Sequence, residues 1–435
     1  MSDAINLSEP GVAEEEAEAA YDAFVLKHLP RNFAAHYVHG MLGMTGFRLF
    51  NAPTFLPAYL HMISGSTAFV GLGQALQQLG GVFSPVIGAT HIEHRRRVLP
   101  VAVVMGISMR IQILGIALAG FVLEGAPLMA VVLLFLFLFG IFSGAQSVAF
   151  QLLLAKVIPT ARRGRLQALR NVTGGAIAAV LSWAAGAYLI ENDVLGNGYG
   201  VTFLLAFGLT SLGLTALRML MNEPEPPRVR PKTALLARMK DFPSLLRDDR
   251  GFMFFMIAQT CAVAGRVAVP FYILYAQQTI ELTGANLGYL TLAYLGADVA
   301  TNLAWGTLGD RFGFRSVFIG TMVVWIGSTV LLMGAGSLPL IIAAFFGLGA
   351  AASGFQMSTQ TMVLEYGARE DVPMRLALSG AAQGIVSTIG PLVGGLLAAS
   401  AGYLVLLGVS IAFEAIALIL LVSVVDEPRW RTRPR

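Results

Sequence analysis

The chain is 435 residues long, 56% hydrophobic and only 12% charged, with a formal net charge of +4. A water-soluble domain carries about 25% charged residues, so this composition excludes a soluble globular enzyme and points to a chain solvated largely by membrane lipid. Basic loops beside membrane spans account for the small positive excess, which leaves no need for nucleic acid as a partner.

The N-terminal stretch is acidic (Glu14, Glu15, Glu16, Glu18), where a cleavable signal is positively charged, so residues 1–30 read as a solvated cytoplasmic tail before a retained first span. Apolar runs of the roughly 20 residues needed to cross about 30 Å of hydrocarbon then recur twelve times. They lie near 33–60, 66–90, 98–123, 127–155, 167–190, 200–221, 252–276, 287–308, 315–335, 338–364, 377–399 and 402–425. The 48 glycines suit close helix packing in a bilayer. The single cysteine, Cys261, sits inside a span and permits no internal disulfide. The expected fold class is an all-α integral membrane protein of twelve transmembrane helices.

Residues 222–250 form the longest polar stretch, opening with Asn222-Glu-Pro-Glu-Pro-Pro227. They read as a cytoplasmic linker between six-helix bundles at 31–221 and 251–425, followed by a C-terminal tail at 426–435. Ala234 to Arg247 fits an interfacial amphipathic helix within that linker. With the N-terminus inside, none of the 29 Lys and Arg residues falls on an outside loop, and only Arg48, Arg110 and Arg266 lie away from the cytoplasmic ends of spans. By the positive-inside rule both termini are expected in the cytoplasm, at the cell inner membrane.

The halves match in register. Arg31-Asn-Phe pairs with Arg250-Gly-Phe, Arg48 with Arg266, Pro53 with Pro270, Gly65 with Gly284, Gly88 with Gly306 and Arg96 with Arg315. Two pseudo-symmetric six-helix bundles are the plan of repeat-built secondary transporters, whose site lies near the midplane between halves that rock.

Between spans 8 and 9 stands Gly306-Thr-Leu-Gly-Asp310-Arg311-Phe-Gly313-Phe-Arg315. This resembles the signature loop of the major facilitator superfamily, and the resemblance extends over essentially the whole chain. It implies that Asp310 and Arg311 help latch the cytoplasmic side shut. Physically, glycine permits the tight turn and an acid can meet a neighbouring helix N-terminus. The first-half copy, Gly88-Ala-Thr-His91-Ile92-Glu93-His94, places Ile92 where the acid belongs, with Glu93 one residue later. Span 11 carries Gly384-Ile-Val-Ser-Thr-Ile-Gly390-Pro391, similar to the Gly-Pro signature of the superfamily's antiporters but in the other half, and Gly390 and Pro391 are grouped with the loop as cytoplasmic gate residues. Span 4, from Leu136 to Ala149, lacks the arginine of proton-driven drug antiporters.

Five ionisable residues lie near the middle of spans: Arg48, Arg110, Arg266, Asp298 and Glu414. Each costs roughly 2.5–3.5 kcal/mol at the centre of a span, so each needs a cavity, a partner or a task. Arg48 and Arg266 sit on spans 1 and 7, which the resemblance places around the central cavity. The same two helices of the superfamily's organophosphate antiporters carry phosphate-receiving arginines, so the pair suits an organic anion. The alternative is that each arginine pairs with Asp298 or a backbone carbonyl to hold the bundles together. Helical spacing adds Asn51, Gln259, Gln146, Gln356 and Gln360 as substrate-binding candidates, each equally suited to an interhelical hydrogen bond. Asp298, with Asn302 on its stripe, is the candidate carrier of a coupling proton, and Arg110 and Glu414 complete the charge network with structural roles favoured. His36, His39 and His61 read as residues snorkelling at the ends of span 1.

No nucleophile motif, metal cluster or phosphate-binding loop occurs, so neither an enzyme, a cofactor, a metal site nor an ATP-driven pump is indicated. The sequence supports a monomeric secondary transporter of a small solute working by alternating access, with an organic anion favoured and ion coupling or exchange open. A proton-coupled drug or metabolite exporter and a transport-inactive membrane receptor or assembly protein are the alternatives.

Overall fold

The computed structural model describes residues 10–92, 95–225, 246–247, 249–366 and 372–431. Among them every regular element is helical, and all twelve expected spans are present. Span 1 is Pro10–Phe50, continued after a break by Phe55–Ser64; span 2 is Thr67–Ile92, span 3 Leu99–Val122, span 4 Gly125–Val157, span 5 Thr160–Ala184 with a closing π-turn Ala185–Ile190, and span 6 Gly198–Leu220. Span 7 is Arg250–Gly265, a 3₁₀ turn Arg266–Phe271 and Tyr272–Ala276; spans 8 to 12 are Gly284–Phe312, Phe314–Gly334, Leu338–Glu365, Val372–Ala401 and Tyr403–Ser423. Nine of these helices, among the described residues, are apolar enough to cross a membrane by composition alone. Spans 1, 2 and 8 are not among them. Their polar residues, such as Gln74 and Gln77 on span 2 and Asp298 and Asn302 on span 8, dilute the apolar signal.

The two halves repeat each other in detail. Spans 1 and 7 are both interrupted beside the paired prolines Pro53 and Pro270, which remove a backbone donor and crowd the preceding turn. After span 6, the Glu223 carboxylate accepts from the backbone N–H groups of Val98 and Leu99 at the start of span 3. After span 12, Glu427 accepts from the N–H of Arg315 at the start of span 9. Each thus satisfies orphan donors at a helix N-terminus, where negative charge is favoured. Both lie on the face where span 1 begins and span 12 ends, called here the basic face.

The segment expected to be a solvated tail is helical from Pro10 and runs without interruption into span 1. Its Ala- and Glu-rich sequence has high intrinsic helix propensity, so the helix continues beyond the lipid. The Tyr21 hydroxyl docks this extension by donating to the carbonyl of Lys156 at 2.9 Å. The expected linker helix, Ala234 to Arg247, lies outside the described residues apart from its last two positions, as do Glu93 and His94.

The halves meet through spans 2 and 11 and through spans 5 and 8. On the face opposite the basic one the contact is tight. The Thr54 and Thr291 hydroxyls are 2.5 Å apart, Thr67 donates to the carbonyl of Gly395, and Glu191 accepts from the N–H of Ala285. Gly186 packs so closely on Gly284 and Gly288 that a Cβ there would lie 2.5 Å from backbone atoms of span 8. Nearer the basic face, the ion pair described next links the halves.

Candidate solute-binding cavity

A cavity of about 710 Å³ opens within the first half, between spans 1, 3, 4, 5 and 6. Its lining runs from Phe47 and Arg48 at mid-span to Gln151, Leu154 and Gln167 near the basic face. Five basic or histidine side chains line it: His36, His39, Arg48, Arg110 and Arg170. No lining residue is acidic.

Arg110 of span 3 is 3% exposed, and its guanidinium donates to the carbonyls of Thr210 and Gly106 and to the amide oxygen of Gln146. All three partners are neutral, so the charge is solvated but not cancelled. The side chain, expected to have a structural role, therefore also lines the cavity. Arg170 of span 5 lies across bare backbone: a Cβ at Gly40 would collide with its Nε, an atom that is buried without a hydrogen-bond partner. The histidines expected to snorkel at the end of span 1 are instead buried, His36 at 2% and His39 at 6% exposure. The backward extension of span 1 carries both into the bundle. His39 stacks on Phe150 at 4.4 Å, and His36 Nε2 and His39 Nδ1 have no partner.

At the inner end of the cavity Arg48 Nη1 meets Asp298 Oδ2 at 2.7 Å, the side chains 22% and 23% exposed. This pair joins span 1 to span 8 across the two halves. Asp298 therefore has a cationic partner, one of the two roles open to Arg48 in the sequence. The remaining stripe of span 8 faces span 10: Asn302 donates to Ser353 Oγ and the Trp305 indole to the carbonyl of Ala350.

Arg266 is not among the cavity-lining residues. Its guanidinium lies over Phe355 and Trp325, 4.9 and 5.5 Å from the ring centroids, inside the second half. Span 7 turns at the break and seats Arg266 against spans 9 and 10, whereas Arg48 lines the cavity; Tyr294 of span 8 lies near both. Of the amides, Gln146 lines the cavity. Asn51 accepts from Gln77 of span 2, and Gln259 accepts from Ser379 of span 11 at 2.9 Å, so both are engaged between helices. Gln356 and Gln360 are exposed and outside the cavity lining.

The signature loop is mostly helix: Gly306, Asp310 and Arg311 occupy the last turns of span 8, and Gly313 alone makes the turn, at φ +87°. Asp310 and Arg311 are exposed. Arg315 donates to the carbonyls of Leu421 and Val422, closing the end of span 12 within its own half. Gly390 and Pro391, grouped with this loop as gate residues, lie instead deep in span 11, where the carbonyl of Pro391 abuts Gly71 of span 2. Pro391 belongs to the packing between halves, where a glycine-rich face lets spans 2 and 11 approach closely, while Gly390 faces Val267 of span 7 in its own half.

The sequence profile of the Major Facilitator Superfamily matches residues 255–435. That match covers the second half of the chain. Two solved transporter structures align over nearly the whole molecule. A point mutant of the nucleoside transporter NupG aligns with a TM-score of 0.70 at 12% identity, covering 89% of this chain and 99% of that one. A D-xylose–proton symporter aligns with a TM-score of 0.70 at 14% identity, covering 92% and 99%. No curated protein matches the sequence significantly.

Arg170 was not legible as a site residue. Near the cytoplasmic end of the expected span 5, it lies well inside the observed one because that helix begins at Thr160, directly after Pro159. The proline was the available signal, since proline favours helix starts and excludes helix interiors.

Proposed function

We propose that this transporter carries a small organic anion through the first-half cavity by alternating access. The carrying observation is the lining itself: three arginines and two histidines, with no acid among the lining residues. Guanidinium groups in such a setting receive phosphate or carboxylate through planar, charge-assisted hydrogen bonds. Gln146, Gln151 and Gln167 in the same wall suit the hydroxyls of a polar body. A sugar-like or nucleoside-like solute bearing a carboxylate or phosphate satisfies both sets of groups.

A neutral sugar or nucleoside is the second reading, favoured by the two aligned transporters and by those glutamines. It leaves Arg110 and Arg170 without a counter-charge, which ranks it below the anion. The basic face is assigned to the cytoplasm by the charge distribution, so the arrangement corresponds to a state closed toward the outside.

A thermal-shift screen of the purified protein against anionic sugars, organic acids, neutral sugars, nucleosides and lipophilic cations tests the reading. A ligand at 100 times its Kd stabilises by about 2.7 kcal/mol. Stabilisation by anions and not by their neutral analogues is expected. Stabilisation by neutral analogues or cations alone overturns it.

A further inference from the structure

The second half holds a carboxyl group wholly withdrawn from solvent. Glu414 of span 12 is 0% exposed, and its Oε2 has no hydrogen-bond partner. Its Oε1 lies 3.4 Å from Ser410 Oγ, while the Ser410 hydroxyl donates at 2.5 Å to the carbonyl of Gly265. A serine hydroxyl has one hydrogen, already committed to Gly265, so the contact between Ser410 and Glu414 becomes a full hydrogen bond only when the carboxyl itself supplies a proton.

Gly265 is the last helical residue before the break in span 7, and a Cβ there would lie 2.5 Å from Glu414 Cγ. The carboxyl therefore rests against the break. The next residue, Arg266, opens the 3₁₀ turn and lies over Phe355 and Trp325, forming no ion pair with Glu414 among the described residues. The groups packed on the carboxyl itself are uncharged, and on the side of Arg266 the Arg48–Asp298 pair lies beyond Tyr294. Tyr272 of span 7 accepts from the Trp325 indole and bonds Thr329 of span 9, Tyr294 of span 8 faces Arg266, and span 11 meets span 12 through apolar Ile389 and Val393 beside Phe413.

An ionised carboxylate without a partner in such a setting is strongly disfavoured, whereas a neutral acid is tolerated. The other acid at membrane depth, Asp298, already has Arg48. We propose that Glu414 and Arg266 form a proton-binding site, occupied when Arg266 rests on the aromatic rings and emptied when Arg266 turns to the carboxylate. Because Gly265 and Arg266 are consecutive at the break, that exchange moves the 3₁₀ turn and ties proton binding to the shape of span 7. The inference rests on the transport reading only in naming the proton a coupling ion.

Infrared difference spectra of the full chain in liposomes, taken across a pH titration, test it. The protonated-carboxyl band should titrate in the wild type and in Asp298→Asn and be missing in Glu414→Gln. In Arg266→Gln, which keeps the carboxyl but removes its cation, the band should persist to higher pH, with proton affinity raised at least about tenfold. A band unchanged in Glu414→Gln, or a titration unmoved in Arg266→Gln, overturns the proposal. A Glu414 band that titrates in a protein that moves no anion overturns the transport reading and leaves the proton site standing; anion uptake without that band does the reverse.

Discussion

Arg48 and Asp298 meet at 2.7 Å across the boundary between the two halves, at the inner end of a cavity that holds no acid of its own. An anion entering the cavity competes with Asp298 for the same guanidinium, so the pair reports on substrate and on the junction together. Asp298→Asn should free Arg48 for the solute and tighten anion binding roughly tenfold, a modest coupling free energy. Arg48→Lys keeps the charge but loses the planar fork and should weaken it. Titration calorimetry on both variants checks this, and equal affinities in both would confine the pair to a structural role.

Asp310 and Arg311, the residues expected to latch the basic face, are exposed. If Asp310 meets a helix N-terminus when that face closes, Asp310→Asn should enrich the open state while leaving expression nearly intact. Cysteine accessibility measured from each side of the membrane should shift accordingly. No shift would reduce the motif to a turn built on Gly313.

Glu223 accepts from two backbone N–H groups and from Lys156, with side chains 4% and 9% exposed. Glu223→Ala strands a buried lysine and two helix-start donors, so a loss of about 3 kcal/mol is expected. Glu427→Ala removes one backbone acceptor contact and should lose about 1 kcal/mol. Thermal unfolding of the purified variants should rank them in that order.

The fold was legible because hydropathy and loop charge act along the chain: the twelve spans, the repeat and the paired breaks at Pro53 and Pro270 all leave local marks. The site was legible only in part. Arg48 and Gln146, named from their position in spans, line the cavity, but the direction of Arg266 depends on how span 7 turns at its break, and nothing in its local sequence encodes that. His36, His39 and Arg170 were hidden by the lengths of spans 1 and 5, which reach further toward the basic face than hydropathy alone implies.

Topology follows from the same charges. A reporter fused after Arg435 or inserted within residues 226–245 should read as cytoplasmic, because no lysine or arginine was assigned to an outside loop. Outside activity at either position would overturn the assignment of the basic face.

The central claim is that an organic anion is received by the arginines of the first-half cavity, and counterflow uptake into proteoliposomes tests it most directly. Vesicles loaded with a stabilising anion from the thermal-shift screen should accumulate the labelled anion. Uptake should fall at least about tenfold in Arg110→Lys and in Arg170→Lys, since each keeps its charge but loses the guanidinium fork. Uptake of the anion at wild-type rates by both variants, or of a neutral sugar or nucleoside alone by the wild type, would contradict the account.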